Sequence, residues 1–93
     1  METKVLSAIM KLQGAQIMLS NEGLHTNLST NCIEHGSIEL DAFTHNLKEE
    51  QAAHDILDEY DFVGATRQTI RHEVGTSQEF ATISLRAYLS DIK

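Results

Sequence analysis

The chain contains no proline and five glycines, at positions 14, 23, 36, 64 and 75. That punctuation constrains the fold more than any other feature. Helix interiors reject proline, and a helix end often needs a residue in the left-handed conformation, which glycine supplies. Four of the glycines stand where apolar helical patterns stop. The chain therefore reads as all-α: a single domain over residues 1–93, folded as a small compact bundle of four to five helices. The one alternative to helix is a short hairpin in 24–43.

The first helix is expected over about residues 3–22. Val5, Ala8, Ile9, Leu12, Ala15 and Leu19 make one apolar stripe at helical spacing. Leu6, Met10 and Ile17 make a second, about a third of a turn away. LSNEGL reads as a C-terminal stop, with Gly23 in the left-handed position and Leu24 folding back. Two stripes on one helix leave two accounts open. The helix is the core of a monomer, or Val5, Ile9, Leu12 and Leu19 form a homodimer interface.

Residues 24–43 are ambiguous. Thr26 is placed to cap a short helix with Leu28, Cys32 and Ile33 inward. The same stretch also fits a hairpin turning at His35-Gly36, with Ile38 and Leu40 alternating afterwards. Asparagine and serine enrichment disfavours a long strand and tilts the reading to the helix. A further helix is capped by Thr44 or Asn46, and Asn46 with Glu49 has capping-box spacing. Leu47, Ala52, Ala53, Ile56, Leu57 and Tyr60 form its buried side. Glu49, Glu50, Asp55, Asp58 and Glu59 form its wet side. Two last helices are expected at about 65–74 and 77–91, joined at Gly75, with TSQE (76–79) as a second capping box.

Charge is uneven. Residues 1–64 hold three lysines and eleven carboxylates, a balance of −8, and residues 65–93 a balance of +1, which together make the net −7. Excess acid disfavours nonspecific attraction to nucleic acid or anionic lipid. Cys32 is the single cysteine, so one chain forms neither a disulfide nor a cysteine-based zinc cluster. No signal peptide and no membrane-length apolar run is evident, which makes cytoplasm the expected compartment and a membrane no partner. A chain this short hides only about 60–65% of its unfolded surface, and oligomerisation is a common remedy.

No catalytic constellation emerges, and no cofactor or metal is expected. Glu50, His54 and Asp58 line one helical face at i, i+4 and i+8, most simply as a solvated acidic face. Cys32 with His25 or His35 lacks any surrounding oxyanion hole. THNLKEEQA resembles the phosphorylated segment of histidine phosphotransfer domains. His45, Leu47 and Lys48 occupy the family's histidine, +2 and +3 places, while Glu49 stands where the family has glycine. That resemblance implies phosphoryl transfer through a solvent-facing His45 midway along a bundle. TRQTIRHEVGTSQE, residues 66–79, resembles the helix-turn-helix of the cyclic-AMP receptor class of bacterial regulators. The match runs through Thr66, Arg67, Gln68, Ile70, Val74, Gly75, Ser77 and Glu79. It implies base contacts from Ser77 and Gln78 and phosphate contacts from Arg67 and Arg71.

The leading functional expectation is a small acidic, non-enzymatic regulatory, adaptor or inhibitor protein acting by protein–protein interaction. Glu49, Glu50, Asp55, Asp58 and Glu59 would then face a protein partner with a basic surface. The alternative is a dimeric helix-turn-helix DNA-binding regulator, and a third reading is a histidine phosphotransfer protein.

Overall fold

The apolar stripe at the start of the chain folds as the helix its spacing predicts. In the computed structural model, which describes residues 3–31, 36–72, 80–88 and 90, helix α1 spans Thr3–Asn21. Ala8, Leu12, Ala15 and Leu19 are buried on one side, as residues three and four apart on a helix must be. The stop is a Schellman motif. Gly23 has φ +82°, its N–H donates to the Ser20 carbonyl at 3.0 Å, and the Leu24 N–H reaches the Leu19 carbonyl at 3.1 Å. Leu24 and Leu19 are both buried, supplying the apolar contact that accompanies this motif.

The next segment is not helical. β1 (His25–Asn31) and β2 (Ser37–Thr44) form a hairpin, antiparallel from His25↔Phe43 to Asn31↔Ser37. Thr26 lies within β1 opposite Ala42 and caps nothing. The expected contributions of Cys32, Ile33 and His35 lie outside the described residues. Alternation decides the state of β2: Ile38, Leu40, Ala42 and Thr44 are buried, and the residues between them are not. That period of two belongs to a strand with one covered face.

Helix α2 spans Leu47–Glu59 and is capped by Asn46, whose side chain accepts the Glu49 N–H at 2.8 Å. The return bond of the capping box is displaced by one residue. Glu49 Oε1 accepts the N–H of His45, not of Asn46, at 2.8 Å. Thr44 is no cap either. It ends β2 fully buried, and its hydroxyl donates to the Ala81 carbonyl at 2.8 Å.

After Gly64, at φ +98°, the two expected helices are replaced by strands, β3 (Ala65–Arg71) and β4 (Ala81–Tyr88). This overturns the all-α bundle and the helix-turn-helix built on it. Of the residues read as the first helix of that motif, 65–71 are β3, and most of those read as the last helix are β4. Val74, Gly75, Ser77, Gln78 and the TSQE box lie outside the described residues. The physical reason is in ATISLRAY. Ala81, Ile83, Leu85 and Ala87 alternate with Thr82, Ser84 and Arg86, so period two competes with period 3.6 over the same eight residues. β4 pairs on both sides, with β2 and with β3, so the strand state satisfies the backbone groups on both of its edges. Freedom from proline suits a central strand as well as a helix.

The sheet order is β1-β2-β4-β3, with antiparallel neighbours throughout. β2 and β3 are therefore parallel with β4 between them, and α2 carries the chain across. This is a split β-α-β unit. One core joins Ile38, Leu40, Ala42, Ala81, Ile83 and Leu85 of the sheet to residues of both helices. The helices thus share one face of the sheet, and no described element covers the other. Gly14 lets α1 approach the end of α2, since a Cβ there would lie 2.9 Å from Tyr60 Cε1. Among the described residues no helix is long and apolar enough to cross a membrane.

Candidate protein-interaction face

The acids of α2 and the arginines of β3, expected on two different functional surfaces, meet one another. Arg71 makes a two-pronged pair with Glu50, at 2.8 and 3.1 Å. Arg67 Nη1 lies 2.6 Å from Asp58 Oδ1. Between them, His54 Nε2 is 3.4 Å from Thr69 Oγ1. The spacing explains the match. Four helical residues advance about 6 Å, and two strand residues advance about 6.8 Å. Positions 50, 54 and 58 of α2 therefore run in step with 71, 69 and 67 of β3, in opposite directions. The face at i, i+4 and i+8 runs along a seam between helix and sheet, buried at Glu50 and open to water at Asp58.

The remaining α2 acids are partly engaged as well. Glu49 serves the N-terminal cap, and the His45 backbone N–H, followed by the His45 ring, holds its carboxyl below the ordinary value. Asp55 accepts from Gln51 at 3.0 Å, and Glu59 is exposed. Arg71 also lies over the Phe80 ring, 5.3 Å from its centroid, within cation–π range. Arg67 Nε is buried without a hydrogen-bond partner. His45 stands in the bend before α2, exposed, with Nδ1 3.0 Å from Glu49 Oε1. The bundle that phosphotransfer through His45 requires is absent.

The stripe read as a dimer interface is largely internal. Leu12 and Leu19 are fully buried, and Val5 and Ile9 pack against the core. Leu6, Met10 and Ile17 are instead exposed. By helical periodicity they lie nearly opposite Ala8, Leu12, Ala15 and Leu19, not a third of a turn away.

The face of the sheet turned away from both helices is a second surface, with Thr82 and Ser84 buried at its centre. On the two central strands Ser37 faces Tyr88, Glu39 faces Arg86, Asp41 faces Ser84 and Phe43 faces Thr82. Each alternates with a residue of the core, so all eight stand on the uncovered side. Arg86 pairs with Glu39. The Ser84 hydroxyl donates to Asp41 Oδ1 at 2.6 Å, and His72 Nε2 lies 2.8 Å from Thr82 Oγ1. Burial lifts the Asp41 carboxyl above its ordinary value, and the carboxyl of Glu39 adds to the rise. Ser84 and Arg86 oppose it. The face thus carries two neighbouring carboxylates and one guanidinium. Beside this polar centre, Tyr88 is 47% exposed and Ile70 45%.

Glu39, Asp41, Ser84, Arg86 and Tyr88 do not stand out in a helical reading. The signal that identifies them is the polar half of the alternation in SIELDAFT and ATISLRAY. Among the described residues no group of three histidine, cysteine or acidic side chains is placed to hold a metal ion. A concavity of about 350 Å³ between the end of α1 and the start of α2 is lined by Glu22, Leu24, Asn46, Lys48, Glu49 and Ala52. It brings together cap residues rather than a nucleophile and a base. The chain matches no protein-family model, no curated protein and no solved structure.

Proposed function

We propose that this chain is a small non-enzymatic regulatory or adaptor protein that binds another protein through the uncovered face of its sheet. The partner presents a basic group to Asp41 and Glu39 and apolar side chains to Tyr88 and Phe43. The observation that carries this reading is a sheet face left bare by both helices, with a carboxylate excess at its centre and aromatic area at its margin. Such a face offers charge for orientation and apolar area for affinity. The basic partner expected from the acids of α2 is thereby moved to a different pair of acids: Glu50 and Asp58 are each paired with an arginine of their own, whereas Asp41 accepts from the neutral Ser84 hydroxyl and shares the Arg86 guanidinium with Glu39.

The test is affinity capture from the native cell with wild type, Asp41→Lys and Tyr88→Ala, each with and without nuclease and over a salt series. Capture should survive nuclease, weaken with salt, and fall at least tenfold in both variants. Capture that nuclease abolishes would assign the target to nucleic acid instead. Capture indifferent to both substitutions would remove the sheet face from the interaction.

A further inference from the structure

We infer that the outer face of α1 is a self-association surface and that its occupant is a second copy of this chain, docked antiparallel about a two-fold axis. Thr3, Leu6, Met10, Gln13, Ile17 and Ser20 are all exposed. They recur at alternating spacings of three and four, the rhythm of a heptad seam. Among the described residues this side of the helix stays exposed, while its opposite side enters the core. A surface helix normally turns charge outward. None of these residues is charged, in a chain of which 23% are.

Charge and symmetry select the occupant. A chain of net charge −7 repels its own copies wherever its acids face outward, so self-contact needs a patch without them. A basic partner would gain nothing from this neutral strip. Two-fold docking also requires the same patch to complement itself. The seam meets that requirement, because its positions are symmetric about the midpoint between Lys11 and Leu12. Antiparallel docking sets Leu6 opposite Ile17, Met10 opposite Gln13 and Thr3 opposite Ser20. Aliphatic meets aliphatic, long unbranched meets long unbranched, and hydroxyl meets hydroxyl. The N-terminus of each helix then lies beside the C-terminus of the other, which favours the pairing of their dipoles. Gln13, the polar residue among the apolar ones, sets the register, as a single polar residue in such a seam does.

The seam is about 25 Å long at 1.5 Å per residue, which places it at the small end of specific interfaces. The dimer is therefore reversible. It strengthens as salt screens the repulsion between copies, the opposite of the response expected for binding at the sheet face. The two surfaces lie on opposite sides of a two-layer molecule, so a dimer through α1 leaves both sheet faces outward. This inference does not depend on the partner proposed for the sheet.

Light scattering of the full chain over a wide concentration series tests it. Wild type should rise from one 10.4 kDa chain to two, more readily in high salt. Ile17→Glu and Leu6→Lys should each stay at one chain with an unchanged circular dichroism spectrum. If either charge disturbs the fold, Ile17→Gln replaces it, with the same expected loss of association. An equimolar mixture of Ile17→Glu and Leu6→Lys should recover the two-chain mass, since antiparallel docking places position 6 against position 17. A wild type that remains one chain throughout, or an Ile17→Gln variant that dimerises as well as wild type, overturns the inference. A mixture that stays monomeric while wild type dimerises overturns the antiparallel arrangement. None of these outcomes touches capture through Asp41 and Tyr88, which tests the sheet face alone.

Discussion

Arg67 and Arg71 sit four residues apart on one strand and each pairs with an acid of α2, yet burial separates their weights. The Glu50 side chain is 7% exposed, while Asp58 is 67% exposed. Removing Arg71 strands a carboxylate inside the molecule, whereas removing Arg67 releases one into water. Arg71→Ala should therefore cost about 2–4 kcal/mol and Arg67→Ala less than about 1 kcal/mol, as read by urea denaturation. Asp41 supplies a second prediction at this scale. A carboxyl raised in the folded state binds its proton more tightly there than in the unfolded chain. Its effect is a loss of stability that sets in as pH rises above the ordinary value of 3.8 and persists above the folded value. Asp41→Asn should accordingly be more stable than wild type at neutral pH, with the difference closing as pH falls toward 3.8. Glu49 runs the other way. Its carboxyl is lowered, so its contribution is present above 4.5 and is lost as pH falls through the folded value. Melting temperatures of Asp41→Asn, Glu49→Gln and wild type across acid pH separate the two.

At the scale of the element, the two helices were legible, the β1–β2 hairpin stood only as the alternative reading of 24–43, and β3 and β4 were not legible. α1 ends where Gly23 and Leu24 say it ends, and α2 begins where Asn46 and Glu49 say it begins, because capping bonds join residues only three to five apart. No such local marker exists for β3. ATRQTIR carries two arginines on the side that meets α2, and only their partners at Glu50 and Asp58 make that side fit a covered face. The polar stretch HTNLSTN likewise becomes a strand by lying along β2. Gly14 shows an element-level cost that runs against intrinsic propensity. Alanine is better than glycine in a helix by about 1 kcal/mol, but a Cβ at position 14 would meet Tyr60 Cε1 at 2.9 Å. Overpacking of this kind costs about 1–3 kcal/mol. Gly14→Ala should therefore destabilise the wild type by up to about 2 kcal/mol, and should stabilise a Tyr60→Leu background by up to about 1 kcal/mol. A double-mutant cycle by chemical denaturation measures both.

For the whole molecule, charge is a distributed load on a thin body. The shortest extent is 17 Å. The screening length is about 30 Å at 0.01 M salt and about 3 Å at 1 M, so at low salt carboxylates sense one another across the two shorter dimensions of the domain. Net repulsion of a −7 chain should outweigh its few exposed ion pairs, each worth about 0–1 kcal/mol. The melting temperature should thus rise as salt is raised from about 0.01 M toward about 0.5 M, measured at low protein concentration so that association does not contribute. A falling melting temperature would assign more stability to the Arg67 and Arg86 pairs than their exposure allows.

The amino-acid order alone determined both helices, the stop at Gly23, the capping spacing of Asn46 and Glu49, and the lack of charge on the outside of α1. Each of these follows from residues within a few turns of one another. Tertiary structure decided that 25–31, 65–71 and 81–88 are strands, that acids of α2 pair with the arginines of β3, and that one face of the sheet is turned away from both helices. Those outcomes rest on pairings such as Thr44 with Ala81 and Asp41 with Ser84, about forty residues apart in the chain. A strand gains its hydrogen bonds only from a neighbour that local sequence does not contain, whereas a helix gains them from itself. That difference is why freedom from proline, which permits either state, pointed toward a bundle until the sheet was assembled.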